Sequence, residues 1–141
     1  MNKINFVNNN QPAINATNLN QMQTNIENAI DESFECSTSE KKIGKWIDNK
    51  PIYRKIINIG NLPNANYSNV AHNINNLNKV IKIYGNATNG TLHLPLPFVS
   101  TVSISSNVGI NINGNYITIN SGTDRSSLSG YLIIEYTKTT D

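Results

Sequence analysis

Apolar residues recur along the chain in two periods, and each predicts its own kind of structure. Between Thr17 and Ile30, Leu19, Met22, Ile26 and Ala29 stand three, four and three apart, and Ile30 widens the stripe at its end. That is the a/d spacing of a heptad, so the stretch predicts a helix with one narrow apolar stripe. Thr17 or Asn18 can cap it, because a short side-chain oxygen accepts from the free N–H groups of a first turn. A helix of about 14 residues is marginal alone and must pack on something. A surface helix docked on its own domain is one solution. The narrow stripe and polar flanks favour the other, a short coiled coil with copies of itself, whose strand number the stripe does not fix.

From residue 40 onward the period shortens. Lys42–Ile47 and Ile52–Ile59 are β-prone runs, and Asp48-Asn49-Lys50-Pro51 between them has turn chemistry, so they predict a hairpin. Residues 60–67 predict a loop, and 68–78, dense in Asn, an irregular crossing. Val80–Gly85 predicts a strand and Asn86–Gly90 a turn. Leu92–Phe98 alternates but carries Pro95 and Pro97, which cannot donate to a ladder, so it predicts an edge strand or extended loop. Val102–Ser105, Val108–Ile112 and Tyr116–Asn120 predict three short strands, the last two joined through Asn113-Gly114, a strong hairpin signal. Residues 121–130 form a polar connection. Tyr131–Lys138 is almost continuously apolar, which places it centrally in a sheet. Seven to eight short strands separated by turns predict a mainly β chain, an antiparallel β-sandwich head behind an arm and a helix.

Three segments follow: an extended arm over 1–16, a helix and polar neck over 17–39 in which Phe34 is the one large anchor, and the head over 40–141. The arm carries a short apolar patch, Ile4, Phe6 and Val7, before Asn8-Asn9-Asn10-Gln11-Pro12 breaks regular structure. Such a tail is either disordered or an anchor for a neighbouring chain or larger assembly. The aromatic Phe6 favours the anchor. Trp46 is expected on the head core or a subunit boundary.

Composition narrows the function. The 141 residues are 38% hydrophobic and 14% charged, both low, and Asn fills the gap at roughly a fifth of the chain. Asn suits turns and exposed strand faces, although AT-rich coding would also enrich it. Net charge is +2 without a clustered cationic face, which argues against nucleic-acid binding. No apolar run approaches 18 residues, so no membrane span is expected, and the N-terminus lacks a signal-peptide core, which predicts production and use without Sec export. The single Cys36 excludes an internal disulfide and reads as a small space-filler.

Catalytic chemistry is sparse. His72 and His93 do not stand at metal-ligand spacing, and no phosphate loop or nucleophile elbow is present. No cofactor or metal is expected. Glu35 and Glu40 read with the neck, Glu40 at its junction with the head, and beyond them the head's carboxylates are Asp48, Asp124, Glu135 and Asp141. Asp124 and Glu135 could supply a glycosidase pair, but Asp124 beside Arg125 reads as a loop-fixing ion pair. Four Asn-x-Ser/Thr triplets, at Asn15, Asn66, Asn86 and Asn89, are expected by chance in so Asn-rich a chain. Exposed Asn, Tyr and His on a β-head suit sugars, which makes Tyr67, Tyr84 and Tyr116 candidate receptor contacts, each otherwise a half-buried strand residue.

Ile4-Asn-Phe-Val7 followed by Pro12–Ile30 resembles the N-terminal attachment segment of tailed-phage fibre and baseplate appendage proteins. Gly44–Lys55, Asp124-Arg-Ser126 and Ser129–Thr140 look like the C-terminal head of phage fibre and minor structural proteins. The resemblance implies a homotrimeric virion appendage assembled in the bacterial host cytoplasm. The arm, with Ile4, Phe6 and Val7, would bind another virion protein. Leu19, Met22, Ile26, Ala29 and Ile30 would form the interface of a three-stranded neck. The β-head would project toward the host surface, a glycan being the expected receptor. The long shaft of many relatives is missing, so this is a minimal fibre. The alternatives are a capsid or tail decoration protein without a receptor and a polysaccharide-degrading enzyme, the latter opposed by the few head carboxylates.

Overall fold

A computed structural model describes residues 16–141, so Ile4, Phe6 and Val7 lie outside the described residues. The chain divides into two units, Met1–Glu35 and Cys36–Asp141. In the first, the heptad stretch forms helix α1, Ala16–Phe34. It begins before Thr17 and Asn18, so both expected caps lie within its first turn, and it runs one turn past Ile30 into the expected neck. On its polar faces, Gln23 Nε2 donates to Glu27 Oε1 at 2.8 Å and Thr24 Oγ1 to the Asn20 carbonyl at 2.9 Å. The stripe residues Leu19, Met22, Ile26 and Ile30 are each close to half exposed, and Ala29 is exposed too. No helix among the described residues is long and apolar enough to cross a membrane.

Eight strands make up the second unit: β1 Lys41–Lys45, β2 Pro51–Asn61, β3 Tyr67–Ala71, β4 Leu77–Thr88, β5 His93–Leu96, β6 Val108–Asn113, β7 Tyr116–Ser121 and β8 Ser129–Lys138. They form a five-stranded sheet in the order β1-β2-β8-β4-β5 and a three-stranded sheet in the order β3-β7-β6. Every pairing is antiparallel. The apolar run of β8 lies at the centre of the larger sheet, as its pattern requires. Leu132, Ile134 and Tyr136 enter the core, and Ile133 on the other face is nearly as buried. Proline-bearing β5 is at the edge. The core draws on both sheets: Ile57, Ile59, Ala87, Leu94 and Leu96 from one, Val108, Ile117 and Ile119 from the other. Each fully buried side chain of this size stabilises by about 1.5–3 kcal/mol.

The turns follow local chemistry. Asp48 Oδ1 accepts from the Lys50 N–H at 3.1 Å, and Asn49 takes a positive φ of 66°, closing the β1–β2 hairpin. Asn113 pairs with Tyr116, so the β6–β7 turn is Gly114-Asn115, one residue later than the Asn113-Gly114 signal implied. Gly114, at φ 58°, fills the first turn position, where a type II′ loop needs glycine.

Three strand expectations need correction. Residues 67–71, read within a loop and an irregular crossing, form β3. High Asn content hid the alternation in which Ser68 and Val70 are half-buried while Tyr67, Asn69 and Ala71 face out. Val102–Ser105 is no strand: Ile104–Ser106 forms a 3₁₀ turn, with Val102 and Ile104 almost wholly exposed. The Ser100 hydroxyl accepts from the N–H groups of Val102 and Ser103 at 3.3 and 3.2 Å. Serine thereby captures the donors a ladder would need. Asn86–Thr88, expected in a turn, belongs to β4. Cys36 is exposed and fills no space. Trp46 is half-buried outside the core cluster, its ring centre 5.9 Å from Lys79 Nζ.

Candidate functional site

Strand alternation gives the three-stranded sheet two unlike faces. Ile117 and Ile119 enter the core. The opposite face is a register of three rows: Tyr67–Asn120–Gly109, Asn69–Thr118–Asn111 and Ala71–Tyr116–Asn113. Tyr67 and Tyr116 are 61% and 52% exposed. Tyr67 pairs with Asn120, four residues along β7 from Tyr116, so strand rise sets the two roughly 14 Å apart. Between them Thr118 Oγ1 donates to Asn69 Oδ1 at 2.8 Å, fixing the middle row.

Tyr84 stands elsewhere. It is half-buried on β4 of the other sheet, opposite Ile133 and under Lys82 Nζ at 4.6 Å from its ring centre. Two of the three sequence candidates therefore share a face and the third does not join them.

At the Tyr116 end of this face lies a polar cleft of about 270 Å³ lined by Ala71, His72, Asn73, Ile74, Asn75, Asn115 and Tyr116. Its floor is His72, 1% exposed. The Ile74 N–H donates to His72 Nδ1 at 3.0 Å, so that nitrogen carries no proton. The proton is on Nε2, which donates to the Gly114 carbonyl at 2.9 Å. One imidazole thus ties the turn after β3 to the β6–β7 turn, and the His72 N–H adds a bond to the Asn115 carbonyl at 3.2 Å. Lys55 Nζ donates to the carbonyls of Asn73 and His72 at 2.8 and 3.3 Å. Asn73 and Asn76 hold positive φ of 50° and 58°, which Asn tolerates better than most side chains.

Sequence reasoning missed Asn73, Asn75 and Asn115. The available signal was the run Asn73-Ile74-Asn75-Asn76, whose composition suits a tight left-handed turn. A second, wider cleft of about 560 Å³ lies on the five-stranded sheet, lined by Thr38, Ile56, Asn58, Gly60, Ser129, Gly130 and Tyr131. Its carboxamide, Asn58, already accepts from the Gly60 N–H at 2.9 Å.

The carboxylates considered for catalysis are separately engaged. Glu135 accepts from Arg54 at 2.9 and 3.0 Å. Asp124 bonds the Ser126 N–H at 2.9 Å and its hydroxyl at 2.7 Å, which hold its carboxyl below the usual range. Asp124 therefore fixes its loop through Ser126 and not through an ion pair with Arg125, whose guanidinium donates to the Ser106 carbonyl at 3.2 Å. Asp124 bridges Asn64 beyond the start of β8, and strand rise puts Glu135 about 20 Å from that start. No group of three His, Cys, Asp or Glu suited to a metal ion occurs among the described residues. Comparison with protein families, characterised proteins and solved structures finds no match to this chain.

Proposed function

We propose that the chain is a non-enzymatic structural component of a tailed-phage virion, a short homotrimeric fibre that reaches the host surface through a β-sandwich head. The observation that supports this most is α1: a helix of 19 residues whose heptad positions Leu19, Met22, Ile26 and Ala29, with Ile30 beside them, are exposed. Copies of the same helix are the partner that heptad spacing fits, since each a/d knob needs a hole made by a facing helix of matching repeat. The two sheets with one shared core form the sandwich, and the Tyr67–Tyr116 face offers exposed aromatic and carboxamide groups for adhesion, with a cell-surface glycan as receptor. The N-terminal arm docks on another virion protein.

Light scattering on the purified chain tests the assembly. A mass near three times 15.6 kDa is expected, and a mass near 15.6 kDa at micromolar concentration overturns the fibre.

A further inference from the structure

We propose that the cleft at the Tyr116 end of the three-stranded sheet is a subsite for one neutral sugar ring. This deepens, and rests on, the reading of the head as the host-contacting part. Its size comes first: about 270 Å³ falls just under the range of pockets that enclose drug-sized ligands, which suits a single ring and no more.

The wall chemistry comes second. Asn73, Asn75 and Asn115 are exposed, and among the described residues none of their carboxamides is engaged in a hydrogen bond. Each offers two donors and an acceptor, the mixed set that vicinal hydroxyls require. Tyr116, half exposed beside them, supplies an aromatic surface for the C–H face of a pyranose and a phenol for its rim.

Third, the site is pre-organised. The buried His72 spends both ring nitrogens on holding two turns in place, and Lys55 secures the His72 and Asn73 carbonyls. Little ordering is left for a ligand to impose. Fourth, no carboxylate, lysine or arginine lines the cleft, His72 has both ring nitrogens engaged, and the nearby Lys55 ammonium is committed to those two carbonyls. A uronic or sialic acid would bring a carboxylate with no cationic partner waiting. A single ring held this way is expected to bind with a dissociation constant on the order of 1 mM.

Saturation-transfer NMR on the full chain reads binding at that strength. The probes are glucose, galactose and N-acetylglucosamine, with glucuronic and N-acetylneuraminic acids as charged counterparts. At least one neutral sugar should receive saturation, and the acids should not. Tyr116→Ala should reduce the signal at least tenfold. Asn73→Gly should reduce it several-fold while the melting temperature holds, because glycine accepts the positive φ at that position and only the carboxamide is lost. Tyr131→Ala, an exposed tyrosine on β8 of the other sheet and outside the cleft lining, should leave it unchanged. Saturation of no neutral sugar, persistence in Tyr116→Ala and Asn73→Gly, preference for the acids, or loss in Tyr131→Ala alone each overturns the subsite. Light scattering on the same samples reads the fibre independently: a trimer without a sugar signal removes only the subsite, and a monomer with one removes only the trimer.

Discussion

Tyr136 shows how one side chain can tie a strand to the segment that leads into the head. Its ring is fully buried on β8, stacked on Tyr53 at 5.9 Å, and its hydroxyl donates to Glu40, which also accepts from Lys138. Burial, and then the bond to the Glu40 carboxylate, raise the phenol above its ordinary value. The folded chain therefore holds this proton more tightly than the unfolded chain does. The stabilisation is fully present below the unfolded tyrosine pKa, about 10, and is lost as pH rises above it. A hydrogen bond to a charged acceptor contributes about 1.5–3 kcal/mol, so Tyr136→Phe should lose roughly that at pH 8. The gap between the two proteins should narrow above pH 10, where unfolded wild type gains by ionising. Urea unfolding at pH 8 and pH 10.5 measures both gaps, and a gap that widens at the higher pH refutes the assignment. None of this was legible in the sequence, where Tyr136 and Glu40 stand 96 positions apart and Glu40 read as part of a neck. His72 is similar: its spacing excluded a metal set, but only the fold shows that it spans two turns.

At the level of elements, much was legible, for reasons that differ from strand to strand. β8 announced its central place because Leu132, Ile133 and Ile134 are buried in succession, on both faces of the strand. β5 announced an edge because Pro95 cannot donate. β3 was hidden because its outward positions Tyr67, Asn69 and Ala71 do not contrast with a segment already full of Asn, and its partner β7 decides the pairing. Val102–Ser105 had the right alternation but the wrong competitor, a serine hydroxyl that outbids the ladder. The β4–β8 contact makes a sharper test of the sheet. A Cβ on Gly85 would sit 2.0 Å from the Tyr131 carbonyl oxygen and 3.0 Å from Leu132, against backbone that cannot yield. Gly85→Ala should cost about 1–3 kcal/mol or more, which for a head of this size lowers the melting temperature by roughly 5–15 °C. A melting temperature unchanged by calorimetry would mean that β4 and β8 are not this close. The helix has its own test. Leu19→Asp with Ile26→Asp places two carboxylates without partners in the proposed neck seam, where each costs several kcal/mol. Light scattering should then return a monomer with the head's circular dichroism intact. A surviving trimer would mean that the head alone sets the oligomer.

For the whole molecule, the proposed parts act together through effective concentration. One uncharged subsite of millimolar strength would hold a particle to nothing. Three heads on one neck turn the second and third contacts into intramolecular events, and avidity can exceed single-site affinity by 10²–10⁴ without a new contact. Adhesion should therefore depend on the neck while single-sugar binding should not. The Leu19→Asp, Ile26→Asp double variant should keep its sugar saturation signal and lose at least tenfold in binding to host cells. Salt separates this from a charge-driven mechanism. The chain carries a formal charge of only +2, and neutral contacts are not screened, so raising sodium chloride from about 0.05 to 0.5 M should change cell binding by less than about twofold. A steep loss with salt would instead assign adhesion to charged side chains. If adhesion is salt-insensitive and falls in the neck variant and in Tyr116→Ala alike, the neck and the cleft work as one device: the helix multiplies a contact that is too weak alone.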